Sequence, residues 1–130
     1  MQSGRARRIA IADDSPTFVE AAARYMAALP GCALAGTASA SADAVGLVES
    51  TTPDVLLLDL GAAPARSLEL LRRVRALPHA PAVIAMTLFH SPEAAEAAER
   101  AGAAGLVGKD GFIAGLTAIL ARLYPAEFAA

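Results

Sequence analysis

"TPDVLLLDLGAAP", residues 52–64, holds an unbroken apolar run, Val55 to Leu58, and sets the carboxylate of Asp59 at its end. A run without polar alternation fits a strand covered on both faces, as in a parallel sheet with helices on either side. Asp59 is then either a cap or turn residue, or a reactive group held at the edge of a core. The glycine, alanines and proline that follow break the element. The other segments decide between these readings by what they bring to the same place.

Working outward, short aliphatic runs alternate with longer Ala-rich segments. "RIAIAD" (8–13) reads as a strand, and 15–29 as a helix with Asp14 or Ser15 as N-cap and Pro16 in the first turn. Phe18, Ala22, Tyr25 and Leu29 fall at helical spacing along it. "CALAGTA" (32–38) is a strand, 41–50 a helix and 54–59 the third strand. The spacing then predicts a helix over 67–77, with Leu68, Leu71, Val74 and Arg75 along one side and Ser67 as a candidate cap. A fourth strand covers 81–87. A helix over 91–102 has Ser91 as cap, Pro92 at its first position and Gly102 as its stop. The short strand 104–108 and the helix 110–124 complete the series. Parallel neighbours need a crossover, so five strand–helix repeats predict an α/β fold: a five-stranded parallel sheet with helices on both faces.

The 130 residues suit one domain, with 1–7 a basic leader, and 55% hydrophobic residues suffice for a core. No apolar run reaches the roughly 18 residues a membrane span needs, and "MQSGRARR" lacks the apolar stretch of a secretory signal. The expected location is therefore the cytoplasm. Cys32 is the only cysteine, which excludes an intrachain disulfide and a cysteine metal cage. It reads as a small buried hydrophobe. With net charge −2, and with Arg5, Arg7 and Arg8 read as a solvated leader, the chain has no electrostatic footprint for nucleic acid.

In open α/β sheets, ligands bind beyond the carboxyl ends of the strands where the strand order reverses. Here those ends carry Asp13 and Asp14, then Asp59, then Thr87, with Lys109 after the fifth strand. Each has a bland reading on its own: Asp14 as a cap, Thr87 as a β-branched strand residue, Lys109 as a solvated loop residue. On separate strands at one edge, they make a site. Clustered carboxylates repel and call for a cation, and an all-oxygen donor set suits Mg²⁺. One carboxylate can then attack phosphorus and form an aspartyl phosphate. The hydroxyl and the ammonium would stabilise charge on the phosphoryl oxygens.

"ADD" (12–14), "LLLDL" (56–60), "AMTLF" (85–89) and "GLVGKD" (105–110) together resemble the receiver domain of bacterial two-component response regulators, from Arg8 to about Tyr124. The resemblance implies the flavodoxin-like doubly wound order. It implies that Asp59 is the phosphoacceptor, fed by a histidine kinase or phosphotransfer protein, and that Thr87 and Lys109 contact the phosphoryl group. Asp13, Asp14, Asp59 and the Gly61 carbonyl would surround Mg²⁺. Output would pass through a downstream protein target, a second copy of the chain or a phosphorelay. "GLVGKDGF" is similar to receivers joined to helix-turn-helix output domains, so a receiver cut before such a domain and a stand-alone receiver both fit. No nucleic acid and no membrane contact is implied for this chain alone.

Three departures from the family pattern bear on the switch. Ala63 and Ser67 stand where members usually carry a proline and a glycine, with Pro64 displaced by one. Leu106 replaces an aromatic residue. Leu88 and Phe89, at places that control access to the phosphoryl group, are both bulky. Two other readings compete: a receiver-like interaction module that signals without phosphorylation, and a phosphohydrolase using an aspartyl phosphate. The adjacent pair Asp13-Asp14 counts against the latter, which commonly spaces its aspartates by two. His79 and His90 read as surface residues.

Overall fold

The computed structural model describes residues 6–128. The strands are β1 (Arg7–Ala12), β2 (Cys32–Ala38), β3 (Val55–Asp59), β4 (Ala82–Thr87) and β5 (Gly105–Gly108). All pair in parallel, in the order β2-β1-β3-β4-β5. Between them lie α1 (Pro16–Ala28), α2 (Ala44–Thr51) behind a short 3-10 turn at Ser41–Asp43, α3 (Pro64–Arg75) and α4 (Pro92–Arg100). After β5 come α5 (Phe112–Leu123) and α6 (Pro125–Phe128).

Alternation within the strands divides the core. Ile9, Ile11, Val55, Leu57, Ile84, Met86 and Val107 face α1 and α5, packing against Ala22, Met26, Phe112, Leu116 and Leu120. Ala10, Ala12, Leu56, Leu58, Val83, Ala85 and Leu106 face α2, α3 and α4, packing against Leu47, Leu71, Val74 and Ala98. Every residue of β3 is buried, as the unbroken run around Leu57 requires. A fully buried aliphatic side chain contributes roughly 1.5–3 kcal/mol, so this strand anchors both layers. The chain leaves β1 for β2 on one side and returns to β3 on the other, which opens the binding crevice at the carboxyl ends of β1 and β3.

Several boundaries differ from the sequence reading. Helix α3 starts at Pro64, with Ala63 at the N-cap position and no side-chain cap. Proline at the first helical position sacrifices no hydrogen bond, so the helix begins a turn early and Ser67 lies inside it. Ser67 is therefore not a cap. The buried stripe of α3 is Ser67, Leu70, Leu71 and Val74, while Arg75 is exposed, its guanidinium donating to the Pro81 carbonyl at 2.8 Å. The segment over 41–50 splits into the 3-10 turn and α2, and α6 has no counterpart in the sequence reading.

The leader reading also changes. Residues 1–5 lie outside the described residues, but Arg7 opens β1 and pairs with Glu127 at 2.7 Å beneath the Tyr124 ring. Arg8 donates to the Thr51 and Thr52 carbonyls. Cys32 packs partly buried at the edge of the α1/α5 core, which pushes its thiol up to about 11 and keeps it protonated. No described helix is long and apolar enough to cross a membrane.

Candidate functional site

The crevice is built from the ends of β1, β3, β4 and β5. Asp13 follows β1 directly and is sealed from solvent. Its Oδ1 accepts from the Ser15 amide at 2.8 Å, while Ser15 caps α1 through its hydroxyl. This turn leaves Asp14 exposed on the crevice wall. Asp59, the last residue of β3, is 4% exposed. Carboxylate oxygens of Asp13, Asp14 and Asp59 lie within 4.8 Å of one another. The Lys109 ammonium reaches into the cluster, 2.7 Å from Asp13 Oδ2 and 3.3 Å from Asp59 Oδ1.

The electrostatics follow from that packing. Burial pushes the Asp59 carboxyl up, and the Asp13 charge adds to this; Lys109 and the Gly61 amide pull it down without cancelling the rise. Lys109 is held above its ordinary range, because its contacts with Asp13 and Asp59 outweigh the burial that works against its charge. A phenyl ring backs the ammonium: Nζ lies 4.7 Å from the Phe18 centroid, and Phe18 meets Phe112 edge to face. The sequence gives helical spacing for Phe18, but which strand end it would face depends on how α1 lies across the sheet.

Thr87, Leu88, Phe89, Gly61 and Ala62 complete a cleft of about 800 Å³ with Phe18, Ala21 and the charged residues. Thr87 ends β4, and its carbonyl accepts from the Lys109 amide at 2.8 Å, tying the β4 and β5 ends together. Leu88 and Phe89 stand on the lip, Phe89 at 85% exposure. Leu106 is not part of the cleft; it lies in the core beneath α4 with Ala98 and Ala101. His79 and His90 are exposed.

The sequence profile described as the response regulator receiver domain matches residues 9–121, which take in Asp13, Asp14, Asp59, Thr87 and Lys109. The chain belongs to the response regulator receiver family. Solved receivers share its architecture. The signal receiver domain of the response regulator NarL from Mycobacterium tuberculosis is 26% identical, with TM-score 0.76, and the match covers 88% of this chain and 97% of that one. A two-component response regulator of the LuxR family from Aurantimonas sp. SI85-9A1 is 28% identical, with TM-score 0.80, over 96% of this chain and 89% of that one. The isolated receiver domain of RcsB from Salmonella enterica, solved with the phosphomimetic BeF3-, shares the fold at 21% identity and TM-score 0.77, over 95% and 92% of the two chains. Receivers are signalling switches that work through phosphorylation, and as a family they bind Mg²⁺ in an acidic pocket.

The donor set here fits such an ion. It is all oxygen, it carries excess negative charge, and Asp13 Oδ2 is sealed from water with no aligned hydrogen-bond donor among the described residues, only the ionic contact to Lys109. Two further residues act on this receiver site from behind, and the sequence reading missed their partners. The Ser41 hydroxyl donates to the Asp59 carbonyl at 2.7 Å, and the Ser67 hydroxyl to the Leu60 carbonyl at 2.8 Å.

Proposed function

We propose that Asp59 accepts a phosphoryl group from a histidine kinase or phosphotransfer protein, and that the chain signals through the contacts this changes. The observation that carries the reading is the Lys109 ammonium lodged between Asp13 and Asp59, with Thr87 on the same cleft. An Asp59 oxygen attacks phosphorus, forming a P–O bond as the P–N bond of a phosphohistidine breaks. The electron pair leaves with the imidazole nitrogen, which takes up a proton. Lys109 and Thr87 meet the charge on the transferred oxygens. Asp13, Asp14, Asp59 and the Gly61 carbonyl would hold Mg²⁺, which supplies positive charge against these carboxylates and the phosphoryl group.

Residues 1–130 act as one domain, in the cytoplasm where the kinase's phosphohistidine is found, and reach no DNA by themselves. Output runs through a protein target, a second copy of the chain or a further histidine. Because Leu106 stands where the family carries an aromatic residue, the rotation of a ring behind Thr87 is not part of the switch; movement of Thr87 and Lys109 carries it. The competing reading, an interaction module that works without phosphorylation, is favoured by Leu106, the altered loop after Asp59 and the exposed Phe89.

Beryllofluoride with Mg²⁺ mimics an acyl phosphate without chemistry. Titrated into the ¹⁵N-labelled chain, it should shift the amides of Thr87, Leu88 and Lys109, and these shifts should be absent in Asp59→Asn. No response in the wild type, or the same response in the variant, would sink the phosphorylation reading.

A further inference from the structure

The peptide units on either side of Leu60 are each tied at both ends. A trans peptide is planar, with its carbonyl and amide pointing opposite ways, so fixing one end aims the other. In the Asp59–Leu60 unit, the carbonyl accepts from Ser41 Oγ at 2.7 Å and the amide donates to the Met86 carbonyl at 2.9 Å. In the Leu60–Gly61 unit, the carbonyl accepts from Ser67 Oγ at 2.8 Å, and Gly61 lies against the Asp59 carboxylate, where a Cβ would meet Oδ2 at 3.6 Å and where its amide favours the charged form. Gly61 sits at φ +62, a conformation that favours glycine. The serines come from different elements, the 3-10 turn before α2 and the first turn of α3, and line one small cavity of about 230 Å³ between the two.

We propose that Ser67 is a positioning residue for the phosphoacceptor: its hydroxyl holds the Leu60–Gly61 peptide so that the Gly61 amide is aimed at the Asp59 carboxylate. Ser41 does the same for the preceding peptide and so fixes where Asp59 leaves the strand. This rests on the phosphorylation reading for its consequence but not for its geometry. It also accounts for the altered loop. Ser67 stands where family members usually carry a glycine, and with Ala63 in place of the usual proline the loop lacks that ring's rigidity. A buried hydroxyl donating into the loop replaces it. Ser67 is within α3, 8% exposed, and its hydroxyl's protein partner is the Leu60 carbonyl, outside its own helix.

The test uses hydrogen exchange by NMR on the full chain without Mg²⁺ or phosphodonor. In Ser67→Ala, protection of the Gly61 amide should fall about fivefold to tenfold, the value of one hydrogen bond, while the Leu70 and Leu71 amides of α3 keep theirs. Ser67→Thr, which keeps the hydroxyl, should restore Gly61. Ser41→Ala gives a second variant in case Ser67→Ala fails to fold, and there the Leu60 amide should lose protection by a similar factor. With phosphoramidate and saturating Mg²⁺, Ser67→Ala should be phosphorylated about fivefold to tenfold more slowly than the wild type, and Ser67→Thr at the wild-type rate. Unchanged Gly61 protection overturns the proposal, as does a uniform loss across α3, which would mean general loosening. If the wild type takes no phosphoryl group, the functional reading fails while the exchange result still decides the geometry.

Discussion

Asp59→Asn should make the protein more stable at neutral pH, although it removes an ion pair. With an effective dielectric constant near 20, the attraction across the 3.3 Å contact to Lys109 is about 5 kcal/mol. At the 4.8 Å that bounds the carboxylate spacing, the repulsion from Asp13 is at least about 3.5 kcal/mol. The balance favours the charged carboxylate by at most about 1.5 kcal/mol, whereas stripping water from a buried carboxylate costs several kcal/mol after relaxation. Desolvation therefore sets the sign, in agreement with the upward displacement of the Asp59 carboxyl. An asparagine keeps an acceptor for the Gly61 amide and loses the charge. The expected gain at pH 7 is about 1–3 kcal/mol, each kcal/mol raising the thermal midpoint by roughly 3–6 °C in a chain of this length.

The pH dependence follows from the same displacement. A raised acid contributes stability that is complete below its unfolded value of 3.8 and is lost as pH rises through its folded value. The wild type should therefore close on the variant as pH falls from 7 and meet it near 3.8. Urea unfolding of both proteins at several pH values, in chelator, measures the difference. A variant less stable than wild type at pH 7, or a gain that does not change between neutral and acid pH, would refute the reasoning.

Leu57→Ala, in the buried central strand, should cost about 2–5 kcal/mol by urea unfolding. Arg7→Ala should cost about 1 kcal/mol and speed amide exchange in α6, because it removes the contacts to Glu127 and Tyr124 while leaving the cleft untouched. Cys32, with its thiol pushed up to about 11, should react with a thiol reagent at pH 8 at least tenfold more slowly than a free cysteine, and unfolding in urea should abolish the difference.

The central strand and the five-fold alternation were legible because both depend on local pattern: buried parallel strands show as unbroken aliphatic runs such as Val55 to Leu58. The gathering of Asp13, Asp14, Asp59, Thr87 and Lys109 was legible too, since in an open α/β sheet the strand ends share one edge. What escaped depends on tertiary partners. Arg7 reads as leader until Glu127, 120 residues away, is seen beside it. Ser67 reads as a cap because Ser before a periodic run usually is one, whereas Pro64 started the helix earlier and left the hydroxyl free for Leu60. Phe18 offered only its place on a helix face, and its ring over Lys109 follows from how α1 crosses the sheet.

The most direct measurement is the mass of the intact chain after incubation with phosphoramidate and Mg²⁺, followed by peptide localisation. One added phosphoryl group is predicted, on the peptide containing Asp59, absent in Asp59→Asn and without Mg²⁺. No adduct when calorimetry shows the metal bound, or an adduct that persists in Asp59→Asn, would contradict the assignment of Asp59 as the phosphoacceptor.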